Sequence, residues 1–176
     1  MKGLFIMLCL GCCFFTQAQI STKDTAVNWL TFSSQNYAIS YPDTWKLDTS
    51  KTMGIDLFLF APKDSVNDIF RENVNLLSSD IEENIGLDSF VNVSIRQIEN
   101  MATGYQLIMS KRFELKKSWV HQLEFTAQQG KYDLHFMQYY FIARQKAYTI
   151  TLTTEKNTFN AYKNIGTAIL NSIQTY

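Results

Sequence analysis

The fold is decided by residues 105–154, which read YQLIMSKRFELKKSWVHQLEFTAQQGKYDLHFMQYYFIARQKAYTITLTT. Apolar and polar residues alternate through four runs of this stretch, and short polar segments separate the runs. The alternating apolar residues are Leu107, Met109, Phe113 and Leu115, then Trp119, Leu123, Phe125 and Ala127, then Tyr132, Leu134, Phe136, Tyr140 and Ile142, and finally Tyr148, Ile150 and Leu152. A period of two places every second side chain on one face of a strand. The stretch therefore predicts four consecutive antiparallel strands.

Shorter elements surround this meander. Alternation predicts strands at 29–32, 37–41, 55–61 and 73–79, and the first two of these form a hairpin. Pro42 ends the second strand, and we expect Trp45 to pack back on the sheet edge as an anchor. Apolar residues at three- and four-residue spacing predict helices over 87–102 and 158–173, and Thr158 is a suitable N-cap for the second helix.

Both faces of the third meander strand carry large side chains. The residues on one face are His135, Met137, Tyr139 and Phe141, and those on the other are Phe136, Tyr140 and Ile142. A sheet with one solvated face would be polar on that face, so we expect helices or long loops on both. The predicted fold is α+β, an α/β/α sandwich around a mainly antiparallel sheet of about six to seven strands with two main helices.

The N-terminus has the pattern of a signal peptide at 1–18. Lys2 precedes an apolar run over 4–15 that is too short to span a bilayer, and small residues at Thr16 and Ala18 suit signal peptidase. An alternative is a lipoprotein anchored at Cys12. In either case we expect an exported chain, periplasmic or secreted, with a flexible leader at 19–28 and a single domain at 29–176.

Composition narrows the range of functions. All three cysteines, Cys9, Cys12 and Cys13, lie in the predicted signal peptide, so the mature chain would have no disulfide, thiol nucleophile or thiolate metal site. Cleavage removes one of 16 basic residues and none of 16 acidic ones, which leaves a net charge of about −1. We therefore expect no nucleic-acid partner, and no later stretch is apolar enough to form a transmembrane segment.

The order of these elements resembles the PsbP-like family, which includes the Mog, PsbP and DcrB types. The segments that carry the resemblance are 37–45 (YAISYPDTW), 73–76 (NVNL), 87–101, 147–151 (AYTIT) and 169–173 (ILNSI). The resemblance covers nearly all of the predicted mature chain. It implies an α/β/α sandwich and an accessory or binding role, since members of the family generally act in this way and not as enzymes.

The candidates for chemistry are few. His121 and His135 are the two histidines and lie on neighbouring predicted strands, where a paired register could bring them together. A zinc site would need a third ligand, for which Asp133 or Glu124 is available, but no spacing requires it. A packed, hydrogen-bonded histidine is the ordinary expectation. We therefore expect no catalytic residues, no metal and no cofactor, and a hydrolase using either histidine is the less favoured alternative.

Acidic and glycine-containing motifs add no candidate. The acidic stretch Asp80, Glu82, Glu83 and Asp88, which runs from the fourth strand into the first helix, could bind calcium through oxygen ligands but lacks the glycine and fixed alternation of a calcium loop. A solvated connector before a helix is the simpler interpretation. The sequence has neither a Gly-x-Ser-x-Gly elbow nor a glycine-rich phosphate loop.

Aromatic residues are the remaining clue to function. Tyrosines and phenylalanines crowd the last two meander strands, and any that are not needed in the core could form a cleft or docking surface. The candidate binding residues are Trp45, Tyr139, Phe141, His121 and His135.

The sequence favours an exported, non-enzymatic accessory or binding protein of the cell envelope that contacts an unknown protein. The alternative is a small-molecule carrier with an apolar cleft between the sheet and the 87–102 helix.

Overall fold

The computed structural model describes residues 27–66 and 68–176. The signal peptide and nearly all of the leader predicted from the sequence lie outside these residues. The helices are α1 (Leu87–Met101) and α2 (Phe159–Ser172), with a short 3₁₀ turn at Thr52–Gly54. The strands are β1 (Trp29–Ser33), β2 (Tyr37–Pro42), β3 (Lys46–Asp48), β4 (Leu57–Phe60), β5 (Asn73–Asp80), β6 (Thr103–Leu115), β7 (Ser118–Gln129), β8 (Tyr132–Ala143), β9 (Lys146–Glu155) and β10 (Gln174–Thr175).

Seven of these strands form one antiparallel sheet in the order β3-β4-β5-β9-β8-β7-β6. Its half from β6 to β9 is the predicted meander. Two-residue turns with positive φ connect β6 to β7 at Lys116 and Lys117, and β8 to β9 at Arg144 and Gln145. Turns of this kind match the right-handed twist of the flanking strands, so each strand returns directly beside the one before it.

The N-terminal hairpin lies in a second, smaller sheet. β2 pairs with β1 on one side and with β10 on the other, all antiparallel. The chain end just after α2 therefore closes onto the first hairpin. The sequence analysis predicts neither β10 nor β3, because two and three residues are too few to show a period.

The large sheet is covered on both faces, as predicted. On one face, α2 and the three-stranded sheet enclose a core that includes Ile39, Leu59, Leu152 and Ile169. On the other face, α1 packs through Val91 against a second core, whose remaining buried members are Leu123, Phe125, Ala127 and Tyr140. The α/β/α sandwich is confirmed, and α1 and α2 begin and end within one residue of their predicted bounds.

Three details of the sequence analysis are wrong. The period of two places Leu107 and Trp119 on the buried face, but their side chains are 53% and 60% exposed. Leu107 lies on the edge strand β6 and Trp119 on the neighbouring strand β7, and both are outside the cluster that α1 covers. β6 also shifts register between Leu107 and Met109, which interrupts its alternation. Thr158 occupies the N-cap position of α2 without capping it, since its hydroxyl donates to Glu72 Oε1 at 2.6 Å.

Candidate functional site

Three of the predicted binding residues belong to the core. Trp45, Tyr139 and Phe141 are 6%, 3% and 4% exposed, and all three pack in the cluster beneath α2 and the small sheet. The expected anchoring of Trp45 is confirmed. A partner cannot reach these rings on the folded chain, so the exposed aromatic surface predicted from the sequence does not include them.

The two histidines lie on opposite faces of the sheet. In the β7–β8 register His121 is beside Tyr140, whereas His135 is beside Thr126, five residues further along β7. His121 is on the α1 side and hydrogen-bonds Ser110 Oγ through Nε2 at 2.9 Å. His135 is on the α2 side, where its ring stacks on Phe159. Side chains alternate between the two faces along a strand, so two positions five residues apart on β7 face opposite sides of the sheet. The expectation that register could bring the two histidines together is therefore wrong.

Both histidines are held in the neutral form. Burial, followed by the charge of Arg112, lowers the pKa of His121, and Asp88 opposes this shift. Burial also lowers the pKa of His135 and outweighs its hydrogen bond to Glu124, which raises it. Each side chain thus has the environment of a packed, hydrogen-bonded histidine.

The candidate metal ligands do not form a cluster. Within residues 27–66 and 68–176, no three histidine, aspartate or glutamate side chains come together as they would around a metal ion. Of the acids before α1 and in its first turn, Asp80 pairs with Lys146, Glu83 accepts from Gln145, and Asp88 pairs with Arg112 at 3.1 Å. These carboxylates serve as surface contacts.

A cleft of about 540 Å³ lies between α1 and the large sheet. We call it the α1 cleft. Its apolar lining comprises Leu77, Phe90, Ile98, Met101, Ala102, Phe125, Ala127, Phe136, Tyr140 and Ala147. Its polar lining comprises Ser79, Ser94, Gln97, Gln128, Gln129, Gln138 and Thr149, and no lining residue is charged. This is the position that the sequence analysis assigns to the cleft of a small-molecule carrier.

The cleft forms because α1 covers only part of its sheet face. Phe90 meets Tyr140 edge-on with ring centroids 5.6 Å apart, and Phe125 stacks on Phe136 at 4.8 Å, so these rings form a packed aromatic floor. Towards β5 and β9 the face continues with the smaller or polar Ser79, Ala147 and Thr149, which leave space under the C-terminal half of α1.

Hydrogen bonds orient one polar group in the floor of the cleft. The Tyr140 hydroxyl donates to Gln138 Oε1, and the amide nitrogen of Gln138 donates to Thr151 Oγ1 at 3.2 Å. Burial raises the pKa of Tyr140, so the phenol stays neutral at physiological pH. Sequence reasoning missed Gln138. The alternation of β8 places this polar amide on the same face as Phe136 and Tyr140, which are large aromatic residues, and that contrast could have indicated a polar group inside a cleft.

Exposed apolar side chains mark a different surface. Leu107, Ile108 and Trp119 are each more than half exposed, on the edge strand β6 and its neighbour β7. The Arg112 guanidinium lies 5.7 Å from the centroid of the Trp119 ring. We call the pair Trp119 and Arg112 the β6 edge patch; Leu107 and Ile108 lie further along β6. In the part of the chain described, neither helix is long and apolar enough to cross a membrane.

The geometry defines a class of protein, an α/β/α sandwich with a cleft under one helix, and comparison with known sequences gives its family. The DcrB family matches residues 38–172. The chain therefore belongs to the DcrB family, in agreement with the resemblance noted from the sequence. No functionally curated protein matches the chain.

Solved structures share the fold at low sequence identity. Cyanobacterial PsbP (CyanoP) from Synechocystis sp. PCC 6803 has a TM-score of 0.65 and 16% identity, over 93% of this chain and 99% of that one. LpqN, involved in cell envelope biogenesis of Mycobacterium tuberculosis, has a TM-score of 0.63 and 12% identity, over 86% and 92%. PA94 of Pseudomonas aeruginosa, a protein of unknown function and putative regulator, has a TM-score of 0.60 and 12% identity, over 82% and 94%. These likenesses establish a PsbP-like fold.

Proposed function

We propose that this chain is an exported, non-enzymatic binding protein of the cell envelope, and that its binding site is the α1 cleft. Membership of the DcrB family and the signal-peptide pattern at 1–18 support the location. The description of LpqN, a structural neighbour involved in cell envelope biogenesis, is compatible with it. The observation that carries the binding role is the cleft itself, with an aromatic floor and an uncharged lining.

The lining selects a neutral ligand. A volume of about 540 Å³ lies within the range of small-molecule sites, about 300–1,000 Å³, and its apolar walls with a few amides and hydroxyls are typical of such sites. An ionised carboxylate or phosphate would lose its hydration there and find no lysine or arginine in the lining. We infer that the occupant is a largely apolar, uncharged molecule with one or two hydrogen-bonding groups.

Native mass spectrometry tests this proposal most directly. The chain from residue 19 onward, purified from its own source without detergent, should retain an adduct of small-molecule mass. A fluorescent probe provides a second measurement: neutral N-phenylnaphthylamine should bind at least about tenfold more tightly than anionic anilinonaphthalene sulfonate. A chain that carries no adduct and binds neither probe would contradict the carrier role.

Filling the cleft should abolish probe binding. Ser94 lies on α1, lines the cleft and is half-buried, so Ser94→Phe places a ring in the space that the ligand would occupy. We expect N-phenylnaphthylamine to bind about tenfold or more weakly, as measured by fluorescence titration.

Asn92→Phe is the matched control for this change. Asn92 is exposed on α1 and does not line the cleft, so the same ring there should leave probe binding unchanged. Equal losses in the two variants would mean that the effect comes from α1 in general and not from the cleft.

A protein partner is the second candidate function, and the β6 edge patch favours it. Trp119 is a large exposed aromatic ring, and tryptophan and arginine are enriched in the energetically dominant parts of interfaces. As an edge strand, β6 also offers the backbone groups of its outer side for contact. The same envelope location supports this role, so the two candidates differ in the surface used.

Crosslinking distinguishes the two candidates. The mature chain, tagged at Tyr176, is crosslinked in envelope extracts of its source and recovered. We expect Trp119→Ala to lose any stoichiometric partner that docks on this patch, because it removes the largest exposed ring there. Trp29→Ala, at an exposed position in the small sheet, is the control and should keep the partner. Recovery of the same partner with both variants would exclude the β6 edge patch.

The absence of enzymatic activity is part of the proposal and has its own test. The hydrolase alternative requires His121 or His135, which occupy opposite sheet faces. A hydrolytic activity of the purified chain that disappears when either histidine is replaced by glutamine would overturn the non-enzymatic assignment.

A further inference from the structure

One side of β6 has no strand beside it. β6 is the last strand of the large sheet, and among residues 27–66 and 68–176 only β7 pairs with it. Its register with β7 shifts at two places between Thr103 and Met109 and is then continuous from Met109 to Leu115. This regular part of the edge is as long as a typical strand, so a second strand could pair along all of it.

The hairpin turn determines which backbone groups of this part point outward. Residues 116–117 form a two-residue turn with positive φ, so the flanking Leu115 and Ser118 exchange both of their backbone hydrogen bonds. In an antiparallel pair, residues that bond the partner strand alternate with residues whose N–H and C=O groups point away from it. The groups that point to the open side are those of Ser110, Arg112 and Glu114.

The side chains beside this edge are apolar and basic. On the α2 side, the half-buried Met109 and Phe113 flank the exposed Lys111, and these three line a groove of about 380 Å³ between β6 and α2. On the α1 side lies the β6 edge patch, where Arg112 meets the Trp119 ring. A strand added about 4.8 Å from β6 would have its side chains next to those of β6 on both faces.

The charge near this edge favours an acidic partner. Lys111 on β6, Lys117 in the turn and Lys163 on α2 make no ion pair in the part of the chain that the structure describes. The regular part of β6 contains one acid, Glu114. A carboxylate opposite Lys111 would therefore form an ion pair that this chain itself does not supply.

A second copy of the chain fits this edge poorly. In a symmetric antiparallel pair centred on residues 109–115, Arg112 would lie opposite its own copy and Lys111 opposite Phe113. Like charges directly opposite each other are destabilising, and lysines on an edge strand protect it against such pairing. The charges therefore favour a different protein as the occupant.

We propose that the outer side of β6, over residues 109–115, binds an extended acidic segment of another protein by strand addition. The backbone of the segment pairs with the outward-pointing groups of β6. Its acidic side chains lie beside Lys111 and Arg112, and its apolar side chains lie beside Met109 and Phe113. The proposal rests on the second candidate function, the protein partner, and supplies its mode of binding.

A model peptide tests the proposal with a defined probe. The fluorescent peptide Thr-Val-Glu-Glu-Thr-Val-Thr, paired antiparallel with β6, places its valines opposite Phe113 and Met109 and its glutamates opposite Arg112 and Lys111. We expect it to bind the mature chain at least about tenfold more tightly than a peptide with lysines in place of the glutamates, as measured by fluorescence polarisation. Equal affinities, or no binding of the glutamate peptide at millimolar concentration, would overturn the proposal.

Amide hydrogen exchange shows whether the backbones pair. In the free chain the amides of Ser110, Arg112 and Glu114 should exchange rapidly, and those of Lys111 and Phe113, which bond β7, should exchange slowly. Saturating glutamate peptide should slow the three rapid amides by about tenfold or more. Binding without this protection would overturn strand addition. Slow exchange of the same three amides in the free chain would overturn it too, because the outer side would already be paired.

A proline variant removes an outward N–H group. Ser110→Pro leaves the bonds to β7 intact, and proline is tolerated at such positions of an edge strand. We expect the glutamate peptide to bind about tenfold or more weakly. Ser110→Ala is the matched control, since it also lacks the hydroxyl that contacts His121 but keeps the N–H group, and it should bind as the unmodified chain does. Equal affinities of the two variants would contradict strand addition.

A charge exchange tests the side-chain contact without a proline. Lys111→Glu should weaken binding of the glutamate peptide and strengthen binding of the lysine peptide, each by about tenfold. Lys131→Glu makes the same change of net charge at an exposed position between β7 and β8, and it should alter neither affinity. An unchanged preference in Lys111→Glu would overturn the assignment of the contact.

Two comparisons separate this mode of binding from the proposed functions. N-phenylnaphthylamine binding should be the same in all four variants, so the α1 cleft is tested independently. If Trp119→Ala releases a crosslinked partner and Ser110→Pro retains it, the partner docks through side chains. Strand addition is then overturned, and the role of a protein partner stands.

Discussion

Trp45→Ala is expected to lower the free energy of unfolding by about 3–5 kcal/mol, as is typical for loss of a buried tryptophan. Trp45 lies between β2 and β3, is 6% exposed and meets the Tyr162 ring of α2 edge-on with centroids 6.4 Å apart. It therefore joins the small sheet, the edge of the large sheet and α2. Truncation leaves a large cavity where three elements meet, and the surrounding backbone can collapse into it only partly.

Chemical denaturation with a control tryptophan measures this effect. Trp119→Ala removes an indole of the same size from a position that is 60% exposed, and we expect a change within about 0.5 kcal/mol. Similar losses for the two variants would contradict the assignment of Trp45 to the core and of Trp119 to the surface.

Gly166→Ala is expected to destabilise the chain by about 1–3 kcal/mol through overpacking. Gly166 lies in α2 against Leu152 of β9, and an added Cβ would be 2.5 Å from Leu152 Cδ2 and 2.8 Å from Cδ1. Leu152 is fully buried in the core and has little room to move. The added methyl group therefore forces α2 away from the sheet.

Helix propensity acts in the opposite direction and makes the sign of this result informative. Alanine is more favourable than glycine in a helix interior by about 1 kcal/mol, so a stabilised variant would mean that α2 is not tightly packed on Leu152. Asn164→Ala, at an exposed position of the same helix, should be neutral or slightly stabilising. A Gly166→Ala,Leu152→Val double variant should recover part of the loss if the contact is its cause.

The sequence analysis succeeded where local pattern determines structure. The period of two in residues 105–154 predicts β6 to β9, and three- and four-residue spacing predicts α1 and α2 within a residue of their ends. The large side chains on both faces of β8 predict the two covering layers, since a strand that buries both faces shows this in its own residues.

The candidate site was less predictable, because it depends on which part of each face is covered. Tyr139 and Phe141 were predicted as possible surface aromatics and are buried, whereas Leu107 and Trp119 show the opposite error. Alternation tells which side chains share a face, but the position of α1 over that face follows from contacts distant in sequence. The α1 cleft was anticipated in place, between helix and sheet, but the amides that line it were not.

By itself the sequence determined the strand order of the meander, the two helices and the sandwich architecture, all of which follow from periodicity and turns within short stretches. The family was indicated by a resemblance that particular segments carry, and the match to the DcrB family bears it out. Only the tertiary structure decided that His121 and His135 are separated, that β10 closes the small sheet, and that Glu124 is buried. The reason is physical: periodicity reports the orientation of each side chain within its own element. Register and the coverage of a face determine which side chains meet, and both arise only when distant elements pack together.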